Sequence, residues 1–236
     1  MRTRSAACAA AVIVASATAA KAATVNLDMT GVTVSSRPTI TVNQIPQTSQ
    51  TPSNGYRTSG TGIEMTDTSG LFGDFIAWCM DLGASIGFGT GYPYETTVTP
   101  FANSFGLGTS GMARVQAVFD ANYAGVDLSD PDEAGAFQLS LWEVVYDDDF
   151  DISTGAFQAE SASAGLDSTA SSYLQAAANY SGGQVWNLSF LQSQRDPRQQ
   201  NLVTADIPSS PVPVPATGLL LLSAVGAFVY LGRRRA

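Results

Sequence analysis

The feature that most constrains this chain is its far end. An uncharged, apolar run from Thr217 to Gly232 is closed by Arg233-Arg234-Arg235-Ala236. As a helix rising about 1.5 Å per residue it reaches roughly 24 Å. That is short of a hydrocarbon core of about 30 Å, a deficit that snorkelling arginines or local thinning can cover. The positive-inside rule keeps the triple arginine in the cytoplasm. The near end carries a matching signal. Arg2 and Arg4 precede an alanine-rich apolar run, Ala6 to Ala20, which closes with Ala20-Lys21-Ala22. A basic region, an apolar region and an A-x-A site make a signal peptide, residues 1–22, cut by signal peptidase. Both ends therefore place residues 23 to about 215 outside the cytoplasm.

Charge follows the same division. All twenty acidic residues lie between Asp28 and Asp206, with only five basic residues among them: Arg37, Arg57, Arg114, Arg195 and Arg198. So acidic a body repels phosphate backbones, which argues against nucleic acid as a partner. It suits solubility, and it can attract divalent cations or basic partners. The chain has no histidine and two cysteines, and Cys8 leaves with the signal peptide. The mature chain then has Cys79 alone, and no intramolecular disulfide can form. Histidine-based triads and cysteine- or histidine-rich metal centres are ruled out by the same count.

The body, 23–191, is long enough for one domain with a real core. Partial alternation over Thr24–Ser35 predicts a strand. Residues 46–61 and Gly83 to Gly111 read as loops, from their Gly, Pro, Ser and Thr content. Phe72 to Leu82 is apolar on both faces and predicts a central, buried strand. Met112 to Tyr123 predicts a helix with Val115, Val118, Phe119 and Tyr123 on one face. Asp130 as N-cap, Pro131 at the first position and Glu133 three residues after the cap announce a second helix, running to about Tyr146. Its sides are apolar nearly all round, so it should be buried. A third helix near Ser168–Tyr180 and strands at Gln184–Leu191 and Leu202–Ala205 complete the reading. The fold class expected is α+β: a β-rich exported domain with two or three packed helices, flanked by a signal peptide and a C-terminal transmembrane helix, 217–232. Residues 192–211 read as a polar, Pro-containing linker.

The tail has a recognisable order. Val212-Pro213-Val214-Pro215-Ala216, a short apolar helix and three arginines resemble the PEP-CTERM sorting signal in its VPLPA form, with Val214 where leucine is usual. The resemblance covers 212–236. It implies export by a Gram-negative bacterium and an exosortase-type membrane peptidase as a partner, often alongside exopolysaccharide production. It implies a route to the cell surface, with the anchor removed or kept, and no particular activity.

Two residues in the apolar body invite a chemical reading. Gln138 shares a helical face with Ala134, Leu141, Trp142 and Val145, and a buried amide without partners costs about 1–3 kcal/mol. Cys79 lies in the apolar strand. Attack of its thiol on the Gln138 amide, with loss of ammonia, would give an internal thioester and remove both polar problems. The product is an activated acyl group that a substrate amine could take. An ordinary buried cysteine beside a hydrogen-bonded glutamine is the alternative. The local strings add to the first reading. Trp78-Cys79-Met80-Asp81-Leu82 resembles the aromatic-Cys-x-Asp-Leu motif of thioester domains in bacterial surface adhesins. Phe137-Gln138-Leu139-Ser140-Leu141-Trp142-Glu143 resembles their Gln-x-x-Ile-Trp motif, with Ser140 where alanine is often found. By this resemblance, over residues 70–150, Cys79 and Gln138 form the cross-link and Trp142 packs around it.

Asp147, Asp149 and Asp151 alternate like the start of a calcium loop, although Ile152 and Gln158 stand where an EF-hand needs Gly and Glu. No other cofactor is expected. Nothing places two of these carboxylates across a cleft as a glycosidase requires. The reading chosen is a non-enzymatic surface protein, an adhesin that attaches to a surface amine or polysaccharide. Two alternatives stand beside it: an acidic structural component of the extracellular matrix or exopolysaccharide layer, and a carbohydrate-active enzyme.

Overall fold

The computed structural model describes residues 22–206. Residues 1–21 of the expected signal peptide, the expected sorting motif Val212 to Ala216, the apolar segment 217–232 and Arg233 to Arg235 lie outside the described residues. Among the described residues no helix is long and apolar enough to cross a membrane.

Nine strands and three α-helices make an α+β body. The strands are β1 (Thr24–Val32), β2 (Thr39–Gln44), β3 (Tyr56–Ser59), β4 (Ile63–Asp67), β5 (Asp74–Cys79), β6 (Gly89–Thr97), β7 (Gln158–Ser161), β8 (Asn187–Ser193) and β9 (Leu202–Asp206). The helices are α1 (Thr109–Asn122), α2 (Pro131–Tyr146) and α3 (Ala164–Ala178). Six strands close into a barrel in the order β1-β4-β5-β9-β8-β6, every pairing antiparallel. Closure leaves the barrel no free edge. The other three form a sheet in the order β3-β2-β7.

Alternation decides which side chains fill the barrel. Val25, Leu27 and Met29 of β1 are buried, and so are Tyr92 and Tyr94 of β6. β6 lies inside the stretch expected to be a loop. Pro93 has no N–H for the ladder, but its carbonyl accepts from the Gln194 N–H, and the tyrosines on either side keep the period of two. β3 likewise falls in the stretch 46–61 read as loop. β5 is central as expected, held by β4 on one side and β9 on the other.

The reading of 192–211 as a linker is corrected over its first half. β8 continues to Ser193, and β9 pairs with both β5 and β8. Gln199 to Thr204 are buried. Polar composition misleads there because the polar side chains are used inside: Asn201 Oδ1 accepts from the Ser193 N–H at 3.0 Å, and its Nδ2 donates to Asn103 at 2.9 Å.

The helices form a layer against the barrel. α2 starts where its capping signals put it, with Asp130 accepting from the N–H groups of Asp132 and Glu133. The Glu133 carboxylate turns instead to the N–H of Asp127, at 2.8 Å. Every residue of α2 from Ala134 to Val145 is buried, as a helix apolar on all sides requires. Phe137 packs tilted against Trp78, 4.7 Å between ring centroids, and meets Phe119 and Tyr123. This aromatic cluster joins β5, α1 and α2, and it sets α2 across the end of β5.

Candidate functional site

The strand-end cysteine and the mid-helix glutamine meet at this crossing. The Cys79 N–H donates to Gln138 Oε1 at 2.9 Å, and Gln138 Nε2 donates to the Cys79 carbonyl at 2.7 Å. The side-chain amide thus pairs with the main chain of Cys79 as a neighbouring strand would. Both partners are buried, and Cys79 carries a free thiol. Burial, with the Asp81 carboxylate adding to it, pushes that thiol well above its usual range, so it is protonated at neutral pH. The pairing also meets the hydrogen-bonding needs of Gln138 without any covalent bond. The polar cost that helped to suggest a thioester is therefore already offset.

Three further features fix the geometry. Gly60, between β3 and β4, presses on the glutamine stem: a Cβ there would lie 2.9 Å from Gln138 Cγ and 3.1 Å from its Cβ. Asp81, two residues beyond Cys79, is fully buried. It accepts from Arg198 Nη1 at 2.6 Å and from the Asn201 N–H at 3.1 Å. Burial raises the Asp81 pKa, and Arg198 opposes the rise. Tyr146 closes the same end of the strand, its hydroxyl accepting from the Leu82 N–H at 2.8 Å. Trp142 is buried one turn beyond Gln138.

Cys79 is not sealed off. A cleft of about 120 Å3 reaches it from the side of the three-stranded sheet, bordered by Tyr56, Thr61, Ile86, Gln200 and Arg37.

The acidic loop after α2 separates the three aspartates singled out in the sequence. Asp147 and Asp149 converge with Glu143, one carboxylate oxygen from each lying within 4.8 Å of the others. Asp151 turns away and accepts from the Ser153 N–H and hydroxyl. Glu143 is fully buried, and neither of its carboxylate oxygens has a partner of good hydrogen-bond geometry; the Asp151 N–H faces it but is bonded to Asp149 Oδ1 at 3.0 Å. Burial foremost, then the carboxylates of Asp149 and Asp147, push its pKa up to about 9.

Sequence reasoning missed Gly60, Arg198, Asn201 and Glu143. For Glu143 a signal was present: it is the one charged residue in the buried stretch from Ala134 to Val145. For Arg198 the signal was Asp81, a charge in a buried string that needs a cation from somewhere in an arginine-poor body.

No family model and no curated protein matches the chain. Among solved structures, it is similar to the N-terminal domain of the Streptococcus pyogenes pilus tip adhesin Cpa, at 12% identity and a TM-score of 0.35, over 76% of this chain and 98% of that one. It is also similar to the Bacillus anthracis TIE protein, at 11% identity and a TM-score of 0.35, over 76% of this chain and 34% of that one. At a TM-score of 0.35 the superpositions fall short of a shared fold, and the site stands on its own geometry.

Proposed function

We propose that the protein is an exported surface protein whose body captures amines through a thioester between Cys79 and Gln138. The observation that carries this reading is the paired contact of the Gln138 amide with the Cys79 main chain, at the foot of a cleft. The amide carbon is held beside the residue that bears the thiol. The Cys79 N–H points at the carbonyl oxygen on which charge builds during attack, so it acts as a donor in place beforehand. The step balances without a co-reactant: a C–S bond forms, the C–N bond breaks, and the thiol proton leaves with the nitrogen as ammonia. A primary amine entering the cleft would reverse the roles, forming an amide at Gln138 and returning the thiol.

Sorting belongs to the same proposal. The tail directs the chain through an exosortase-type peptidase in a Gram-negative envelope, with cleavage near Pro215-Ala216.

Intact mass of the mature protein from its host tests both parts. The chain should begin at Ala23, end near Ala216, and be lighter than its sequence by one ammonia, about 17 Da, the leaving group of the acyl transfer. Cys79→Ala and Gln138→Ala should each abolish the deficit, and methylamine should add to Gln138 while exposing the thiol. A full-mass body with a reactive Cys79 refutes the thioester and leaves an acidic structural surface protein. A mature chain that keeps residues 217–236 refutes the processing alone.

A further inference from the structure

A second site lies where α2 runs into the acidic loop, and it does not depend on the cysteine. Carboxylate oxygens of Glu143, Asp147 and Asp149 lie within 4.8 Å of one another. Three negative groups gathered so closely repel one another unless a cation or a proton intervenes. The loop makes room for the arrangement at Gly155, whose φ is +74°. A Cβ at that position would collide with Oδ2 of both Asp147 and Asp149. Those carboxylates are held from outside. Asp147 accepts from the Asp148 and Phe157 N–H groups at 2.7 and 2.9 Å, and Asp149 accepts from the Thr154 hydroxyl at 2.9 Å.

Glu143 supplies the independent observation. It is fully buried, its two oxygens have no partner of good hydrogen-bond geometry, and one of them faces the two aspartates. A carboxyl group buried without a hydrogen-bond partner is costly in either state, and only a cation beside it would hold it ionised. Among the described residues the single ion pair is Arg198–Asp81, so no arginine answers this charge.

We propose that Glu143, Asp147 and Asp149 bind a divalent cation of the calcium class. The donors are all oxygen, which suits a hard cation rather than zinc or copper. Calcium–oxygen distances of about 2.3–2.6 Å allow two ligands of one ion to lie up to roughly 5 Å apart, and these three carboxylates satisfy that limit. Main-chain carbonyls of the loop and water would complete the shell. Seated there, the cation ties the end of α2 to the loop that leads into β7. It joins the helical layer to the three-stranded sheet.

The test uses the full-length protein in detergent, stripped with EDTA and then given calcium chloride, with thermal unfolding and calorimetric titration as readouts. At a hundredfold excess over Kd the unfolding midpoint should rise by about 5–10 °C. Glu143→Gln and Asp149→Asn should each weaken calcium binding by more than about tenfold, whereas Asp148→Asn, one residue away and exposed, should retain it. Asp149 is exposed, so its variant folds even if a change at buried Glu143 does not. The proposal is overturned if calcium gives neither heat nor a shift. It is also overturned if both survive undiminished in the Glu143 and Asp149 variants, since binding would then be adsorption to the acidic surface. A response to magnesium or manganese alone overturns the calcium assignment.

Discussion

Gly60→Ala is the substitution that most directly probes how firmly the glutamine is held. An added methyl would stand 2.9 Å from Gln138 Cγ, 3.0 Å from Ile40 Cδ1 and 3.1 Å from Gln138 Cβ. Ile40 Cδ1 is the tip of a flexible side chain and can rotate away. The glutamine cannot give so easily, because its stem is fixed to α2 and its amide is bonded twice to Cys79. Overpacking of this kind costs about 1–3 kcal/mol. The loss of glycine's freedom in the unfolded chain returns about 0.4–1 kcal/mol. The net is a destabilisation of about 1–2 kcal/mol, or a fall of roughly 2–8 °C in unfolding midpoint for a body of this size. Differential scanning calorimetry measures the fall, and mass spectrometry of the same sample measures the fraction lacking ammonia. If the proposed thioester forms, that fraction should drop with the midpoint, since a few tenths of an ångström at Gln138 disturbs its paired contact with the Cys79 main chain. An unchanged midpoint with an undiminished mass deficit would refute the reasoning, because it would mean the glutamine is free to shift.

The other expectations concern the charges that frame the fold. Arg198→Ala leaves Asp81 buried without its cation and should cost about 3–5 kcal/mol by urea unfolding, with Asp81→Asn in the same chain restoring much of the loss. If Arg198→Ala alone costs under about 1 kcal/mol, the pair does not hold β5 against the 194–201 segment. Asp67 sits below the ordinary carboxylate range: burial works against its charge but is outweighed by the Ser69 hydroxyl and the N–H groups of Phe72, Ser69 and Leu71. A depressed folded pKa contributes stability above the unfolded value of about 3.9 that is lost as pH falls through the folded one. Asp67→Asn should therefore lower stability at neutral pH and flatten the acid limb of stability below about pH 4, read by thermal unfolding across that window.

What the sequence disclosed follows from how locally each signal is written. α2 was legible to the residue because a cap, a proline and a continuous apolar run lie within one segment. β5 was legible because it is apolar on both faces. β3 and β7 were not, since a four-residue strand has too few alternations to show a period. β6 was hidden by its Gly and Pro content although it is an internal barrel strand, whereas β9 was legible from its apolar run and only its place in the barrel, beyond a polar segment read as linker, was not. Barrel closure itself is a long-range fact: β1 and β6 pair residues 60 to 71 positions apart with nothing local to announce it. Within the site, Cys79 and Gln138 stand in readable strings. Gly60 and Arg198 act only through space, and Glu143 looked like an ordinary helical carboxylate until its surroundings were dry.

The crossing of α2 over β5 has a mechanical side. Cys79 and Gln138 are 59 residues apart, and the intervening chain contains β6 and α1. A bond between them would close that stretch into a ring, much as a disulfide does, and restrict the unfolded chain by about 4 kcal/mol. The ring would rivet one barrel strand to the helical layer and carry load between them. An amine that takes the acyl group opens the ring. The body that has gripped its target would therefore be the weaker one, with a lower unfolding midpoint and an easier path to extension under pull.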